Sequence, residues 1–282
     1  MEQRFVLITG VSTGIGYSLC KVFLDHGFEV LGSVRKTSDS KRLVNDFGSS
    51  FHPLVFDVSD FQAVNDSVAT VEAIVGANGL SCLINNAGIA INGPVMHTSM
   101  DDYQRQFDVN FFGAIAVTKA FLPLLGAVKN YAHPPGKILN ISSVSGQIAF
   151  PFLSPYCSSK FALEAFSESL RRELLLYGID VITIGPGAVK TPIWKKSIKL
   201  SEELLASDYA PSLTRFEKQV RKSAKEGLES DELADKVFKI FMSRNPKTRY
   251  AFLNNKWTNF TIPRYFLSAR MFDRIIKKMF FS

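Results

Sequence analysis

Tyr156 and Lys160 stand four residues apart near the start of a stretch of helical period, so their side chains share one face of a turn. A lysine ammonium beside a phenol favours the phenolate and draws the tyrosine pKa down from about 10. Such a pair can hand a proton to a carbonyl oxygen or accept one from an alcohol. Ser143 lies thirteen residues upstream, just past an apolar run, where its hydroxyl can hydrogen-bond the same substrate oxygen. Each residue also has an ordinary reading. Tyr-x-x-x-Lys is a common amphipathic contact, and two serines after a strand usually make a turn or a cap. What the chain places around them decides between the two.

Short apolar runs rich in Val, Ile and Phe occupy 5–9, 29–34, 51–56, 82–85, 137–141 and 180–184, and another lies at 250–253. Strands that are apolar throughout are what burial on both faces of a parallel sheet demands. Segments of helical period lie between them, at about 14–26, 38–47, 60–78, 101–128 and 155–177, and this alternation predicts an α/β, Rossmann-type doubly wound parallel sheet. A further helix is expected over 231–242 with Ser230 as its N-cap, and another over 263–281. The first strand runs into Thr9-Gly10-Val11-Ser12-Thr13-Gly14-Ile15-Gly16. Glycines between a strand and a helix permit a tight turn and let backbone N–H groups approach a pyrophosphate. Asn85-Asn86-Ala87-Gly88 follows the fourth strand, at the carboxyl edge where open α/β sheets bind ligands.

Thr9–Gly16, Asn85–Gly88, Ser143, Tyr156 and Lys160, in this order, resemble the short-chain dehydrogenase/reductase family. The resemblance covers roughly residues 4–192 and extends to Asp108-Val109-Asn110 and to Pro186-Gly187 followed by Thr191. It selects Ser143 over its neighbour Ser142. It implies a catalytic set of Ser143, Tyr156, Lys160 and Asn110, the last positioning a water beside the lysine. It implies cofactor contacts from Gly10, Ser12, Thr13, Gly14, Ile15, Gly16, Asp57, Val58, Asn86, Ala87, Gly88, Tyr156, Lys160, Pro186, Gly187, Val189 and Thr191, with Asp57 beside the adenine. The string from Tyr156 to Glu168 and the extra C-terminal length look like the hydroxysteroid and retinol dehydrogenase-like branch. Hydride would pass between a nicotinamide and a substrate carbon.

An acid at the end of the second strand usually holds the ribose of NAD. Here that strand ends Val34-Arg35-Lys36. Arg35, with help from Lys36 and Ser12, is placed to meet a 2′-phosphate, so NADP(H) is favoured and NAD(H) remains open. Ser143, Phe150, Tyr156, Ile193 and Trp194 are the expected substrate contacts, with Phe152 close by. No Arg or His is evidently set there to clamp a charge, which suggests an apolar carbonyl or alcohol such as a steroid, retinoid or other lipid. A 3-oxoacyl or small-carbonyl reductase is the alternative enzyme. A dinucleotide-sensing protein without chemistry is the alternative of another class.

The chain has 282 residues, 46% hydrophobic and 21% charged, which excludes a disordered, collagen-like or disulfide-stapled chain. Its net charge of +7 is unevenly spread. Residues 241–282 carry nine basic residues and one acid, while the first 240 sum to −1. On a helical wheel Tyr265, Ala269, Phe272, Ile275, Ile276 and Met279 cluster opposite Arg270, Arg274, Lys277 and Lys278. Residues 1–255 are therefore expected to form one dinucleotide-binding catalytic domain with a substrate loop at about 186–230. Residues 256–282 are expected to form a basic amphipathic helix packed on the same domain or on a partner. Peripheral membrane contact remains an option, and nucleic acid is not expected, since no recognition motif accompanies the charge. Cys20, Cys82 and Cys157 have no CxxC spacing, and His26, His52, His97 and His133 show no ligand spacing. A reducing, cytoplasmic setting is expected, with no metal, no signal peptide, no spanning helix and a dimeric or tetrameric assembly.

Overall fold

The computed structural model describes residues 4–193 and 202–281. Seven strands form one parallel sheet: β1 (Phe5–Ile8), β2 (Glu29–Val34), β3 (Phe51–Val55), β4 (Cys82–Asn85), β5 (Lys137–Ile141), β6 (Asp180–Pro186) and β7 (Arg249–Phe252), in the spatial order β3-β2-β1-β4-β5-β6-β7. The register sets Leu7 against Leu31 on one side and Leu83 on the other. Successive side chains of a strand point to opposite faces, and here both faces are dry. Val6 and Ile8 join one core, and Phe5 and Leu7 the other.

The first core is closed by α1 (Gly14–Asp25) and α9 (Ser230–Met242). Phe23 of α1 packs edge-on against Phe28 and against Phe238 of α9, and at a tilt on Phe241. The second core is closed by α3 (Phe61–Val75), α5 (Gly113–Phe121) and α6 (Ser154–Glu173), through Val64, Val71, Val117, Phe121 and Leu170. The chain enters the sheet at β1 and winds outward first through β2 and β3, then in the other direction through β4 to β7. That reversal opens a crevice beyond the carboxyl ends of β1 and β4, and the glycine turn and Asn85–Gly88 both lie there.

Three elements depart from the sequence pattern. The segment 101–128 is interrupted: α4 (Met100–Phe107), capped by Ser99, passes through a π-helical turn at Asp108–Phe112 into α5. Ser230 is the first residue of α9 rather than its cap, because its hydroxyl is used by Ser18 of α1, 2.9 Å away, and Glu229 takes the cap position. The tail is not one helix. A π-turn at Trp257–Thr261 runs into α10 (Ile262–Tyr265), and Ser268 then starts α11 (Ala269–Phe280) by accepting a hydrogen bond from Met271 N. Tyr265 therefore leaves the face that Phe272 and Ile276 share. α7 (Glu202–Leu205) and α8 (Ala210–Glu226) precede α9. Phe216 and Leu213 of α8 and Phe280 of α11 meet Phe152, Leu153, Tyr156 and Cys157 in a third apolar cluster.

Candidate active site

The end of β5 and the first two turns of α6 bring Ser143, Tyr156 and Lys160 together. All three are buried. Ser143 opens a short 3-10 turn, where its hydroxyl accepts a hydrogen bond from Ser145 N at 3.0 Å and also hydrogen-bonds the Tyr156 phenol. Lys160 donates from Nζ to the Ile141 carbonyl at 2.8 Å, and the same nitrogen lies 6.0 Å from the centroid of the Tyr156 ring. Burial moves both groups toward neutrality. It pushes Tyr156 up to about 12, against the pull of the Ser143 hydroxyl. It brings Lys160 down to about 8, against the pull of Glu164. The tyrosine pKa is thus not lowered as the four-residue spacing suggests, because the loss of water on burial dominates and only the Ser143 hydroxyl pulls against it.

Glu164 is the residue that sequence reading passed over. One turn beyond Lys160 and 5% exposed, it has Arg249 Nη2 of β7 2.6 Å from its Oε2, an ion pair off the line of a hydrogen bond. Burial raises its pKa, while the Ser142 hydroxyl, Arg249 and Lys160 pull it back. Only its spacing of four from the lysine could have signalled it.

Asn110 sits inside the π-turn, where it accepts from Ile89 N at 2.8 Å and donates to Ile89 O at 3.0 Å and to Ser159 Oγ at 3.3 Å. Gln106, one turn earlier and fully buried, holds the same loop by accepting from Ile91 N and donating to Ile89 O. The loop after β4 is thereby pinned beside α6.

The glycine turn is held from across the crevice. Asn86 donates from Nδ2 to the carbonyls of Thr9 and Gly10, and the Thr9 hydroxyl accepts from Asn86 N and Ala87 N. Gly10 has φ +70, and a Cβ on Gly16 would come within 2.3 Å of Gly10 O, so neither position takes a side chain without strain. Thr13 at the start of α1 makes no side-chain cap, and the first turn of the helix carries no acid. Uncapped N–H groups at a glycine-lined helix start suit a pyrophosphate. Thr191 lies 3.1 Å from where a Gly14 Cβ would stand, so the loop carrying Pro186, Gly187, Val189 and Thr191 borders the same turn.

At the end of β2 the Arg35 side chain is 64% exposed and 3.9 Å from Asp57, whose carboxylate also accepts from Ser59 N and Oγ. Lys36 is exposed beside it. Arg42, unnoticed in the sequence, donates to Ser12 O at 2.6 Å and so adds a third cation to this corner. Val58 is buried against Gly113. The cations of this corner, Arg35, Lys36 and Arg42, have a charge that suits an adenosine with an extra phosphate on its ribose.

The packing around Tyr156 is apolar. Phe150 and Phe152 border it, and Phe152 takes φ +64, rare for a bulky residue, while its carbonyl accepts from Gly93 N at 2.8 Å. Phe152 meets Tyr209, Phe216 and Phe281, and Phe150 meets Phe272. Ile193 ends the described part of its loop, and Trp194 lies outside the described residues. Cys157 is a buried packing residue of this cluster.

Residues 4–201 match the family model for short chain dehydrogenase. The chain is 40% identical over 276 residues to an NADPH-dependent 3-dehydrocapnine reductase of Ornithobacterium rhinotracheale, covering 98% of this chain and 97% of that one. It is 41% identical over 193 residues to human retinol dehydrogenase 5, covering 68% of this chain and 58% of that protein. A crystal structure of a short-chain dehydrogenase from Streptomyces avermitilis superposes with a TM-score of 0.77 over 99% of this chain and 95% of that one, at 23% identity. With the parallel sheet, the glycine turn and the match over 4–201 agreeing, the chain belongs to the short-chain dehydrogenase family and is an oxidoreductase.

Proposed function

We propose that this protein is an NADP(H)-dependent reductase that converts a ketone on an apolar, lipid-like substrate to the alcohol, with Tyr156 as the proton donor. The observation that carries the reading is Tyr156 itself: buried at the floor of an apolar cluster, hydrogen-bonded by Ser143, and held as the neutral phenol up to about 12. A neutral phenol is the form that gives a proton to a carbonyl.

NADP(H) is the cofactor. The 40% identical relative is named as NADPH-dependent, and β2 runs into Arg35 and Lys36 where an NAD-binding strand would end in an acid. Bound NADPH supplies the hydride for the substrate carbon. The chain's own residues do the rest. Ser143 donates a hydrogen bond to the substrate oxygen and orients it toward Tyr156. Tyr156 gives its phenolic proton as negative charge develops on that oxygen. The Lys160 ammonium, fixed by Ile141 O, stabilises the phenolate left behind. The π-turn at Asp108–Phe112 departs from the regular α-helical hydrogen-bond spacing. There Asn110 holds a water that returns the proton through Lys160. Phe150, Phe152 and Ile193 exclude bulk water and grip apolar chain.

Turnover of NADPH and NADH against steroid, retinoid, long-chain and short carbonyls tests this. The wild type is expected to prefer NADPH and long apolar ketones. Y156F is expected to bind NADPH normally and lose turnover about 10²-fold or more. Retained turnover in Y156F would sink the mechanism, preference for short carbonyls would favour the 3-oxoacyl or small-carbonyl alternative, and NADPH binding without turnover on any carbonyl would make the protein a dinucleotide sensor.

A further inference from the structure

Residues 241–282 carry the excess charge of the chain, and α11 at their end, with four basic residues and one acid, has two apolar stripes and buries only one. Along α11, Phe272, Ile276 and Phe280 fall at i, i+4 and i+8 and turn toward the protein: Phe280 is buried against Phe216, Phe272 touches Phe150, and the Phe280 carbonyl accepts from Arg215. Met271, Ile275 and Met279 form the adjacent i, i+4, i+8 stripe and remain 49%, 44% and 47% exposed. At about 100° per residue this outer stripe spans about 80° of the helix surface. Arg274 and Lys278 lie along its free edge, the edge away from the protein, and Arg270 and Lys277 follow them round. Asp273, the only acid of the tail, falls on the side of Phe280, nearly opposite Ile275. Just upstream, Trp257, Tyr265 and Phe266 are 69%, 63% and 69% exposed.

We propose that the Met271–Ile275–Met279 stripe, with Arg274 and Lys278 beside it, rests on the surface of an anionic lipid bilayer. Charge selects this occupant. A second copy pairing through the same face would set two α11 helices of net +3 against each other, whereas an anionic surface attracts them, and each basic residue near such a surface adds to binding. Apolar stripe, basic border and exposed aromatics are the features of a helix that lies in the interface plane. None of the described helices is long and apolar enough to cross a membrane, so contact here is peripheral. The inner stripe of the same helix packs on the apolar cluster around Tyr156 through Phe280, and Phe272 touches Phe150 of that cluster. The docked helix thus sets that cluster beside the lipid, where an apolar substrate is concentrated.

The test is sedimentation of the full chain with vesicles of phosphatidylglycerol mixed into phosphatidylcholine, against vesicles of phosphatidylcholine alone. The protein is expected to pellet with the mixed vesicles, less so as salt is added, and to stay in solution with the zwitterionic ones. M271E/I275E/M279E is expected to abolish pelleting. R274A/K278A, which leaves the apolar stripe intact, is expected to lower the partition coefficient about five-fold per charge removed. NADPH affinity should be unchanged in both, which reports folding and does not depend on turnover, so loss of the reductase reading would leave this result standing. The proposal is overturned if the wild type does not pellet, or if the triple variant pellets equally. It is also overturned if light scattering shows the triple variant converting a dimer to a monomer, which would give the face to a second copy.

Discussion

Replacing Glu164 by Gln removes one charge next to the proposed proton path and leaves the shape nearly unchanged. Lys160 is buried, with a pKa of about 8 that burial lowers and Glu164 raises. Cβ atoms at i and i+4 lie about 6 Å apart, and two unit charges at that separation and an effective dielectric of about 20 are worth about 3 kcal/mol, or about two pKa units. Arg249 shares the same carboxylate at 2.6 Å and offsets part of this, so a fall of about one unit is the expected effect. The charged fraction of Lys160 would then drop from about nine-tenths to about half at pH 7, and from about half to about a tenth at pH 8. Reduction needs the ammonium, so kcat falls as pH rises through the lysine pKa. The alkaline limb of the kcat profile, followed by NADPH oxidation, should move from about 8 to about 7 in E164Q, with about a two-fold loss at pH 7 and about five-fold at pH 8. E164D, which keeps the charge, should restore the midpoint. A merely structural role would lower kcat equally at every pH. An unmoved limb in a folded E164Q would refute the electrostatic argument.

Two further outcomes follow from the same geometry. R35A should weaken NADPH binding by roughly ten-fold or more, a charge-assisted contact being worth about 1.5–3 kcal/mol, and leave NADH nearly unchanged; equal effects in calorimetric titration would remove the 2′-phosphate assignment. K160M should be inactive yet more stable at pH 7: folding lowers the lysine pKa from 10.5 to about 8, so the unfolded chain holds more protons between those values, and the full cost, up to about 3 kcal/mol, is present below pH 8 and fades as pH rises toward 10.5. Thermal melting of K160M against wild type at pH 7 and pH 10 reads this, and a destabilised K160M at pH 7, or a pH-independent difference, would contradict it.

The sheet was legible because its physics is local. Each strand is a short run with apolar residues on both faces, and the glycine turn occurs where a strand must give way to a helix; the observed strands fall within two residues of those runs, β6 running on to Pro186. Ser143, Tyr156 and Lys160 could be placed for the same reason, as one lies at a strand end and the others on the first turns of the next helix. What escaped depends on distance across the fold. Arg249 is 85 residues from Glu164 in sequence, and nothing near either marks the pair. Arg42 points back to Ser12 only because α2 (Thr37–Phe47) runs beside the glycine turn. The break before α11 rests on one hydroxyl, that of Ser268, in a stretch whose apolar period continues past it. The direction of the Tyr156 shift escaped because spacing reports a neighbour's charge and not the water that folding removes.

Burial also bears on the direction of the reaction. Tyr156 and Lys160 move apart on the pH scale, from 10.0 up to about 12 and from 10.5 down to about 8. At neutral pH the pair therefore stands as phenol and ammonium, the state ready to protonate a carbonyl. Oxidation of an alcohol needs the phenolate, and raising the pH discharges Lys160 before Tyr156 ionises, which removes the cation that would stabilise it. The protein groups by themselves thus favour reduction, and any alcohol oxidation must draw on the positive charge of an oxidised nicotinamide. The same burial explains why Glu164 is worth a buried carboxylate: by raising the lysine pKa, it widens the pH range in which phenol and ammonium coexist. Function here rests on an unfavourable placement of charge, stabilised from behind by an ion pair that spans α6 and β7.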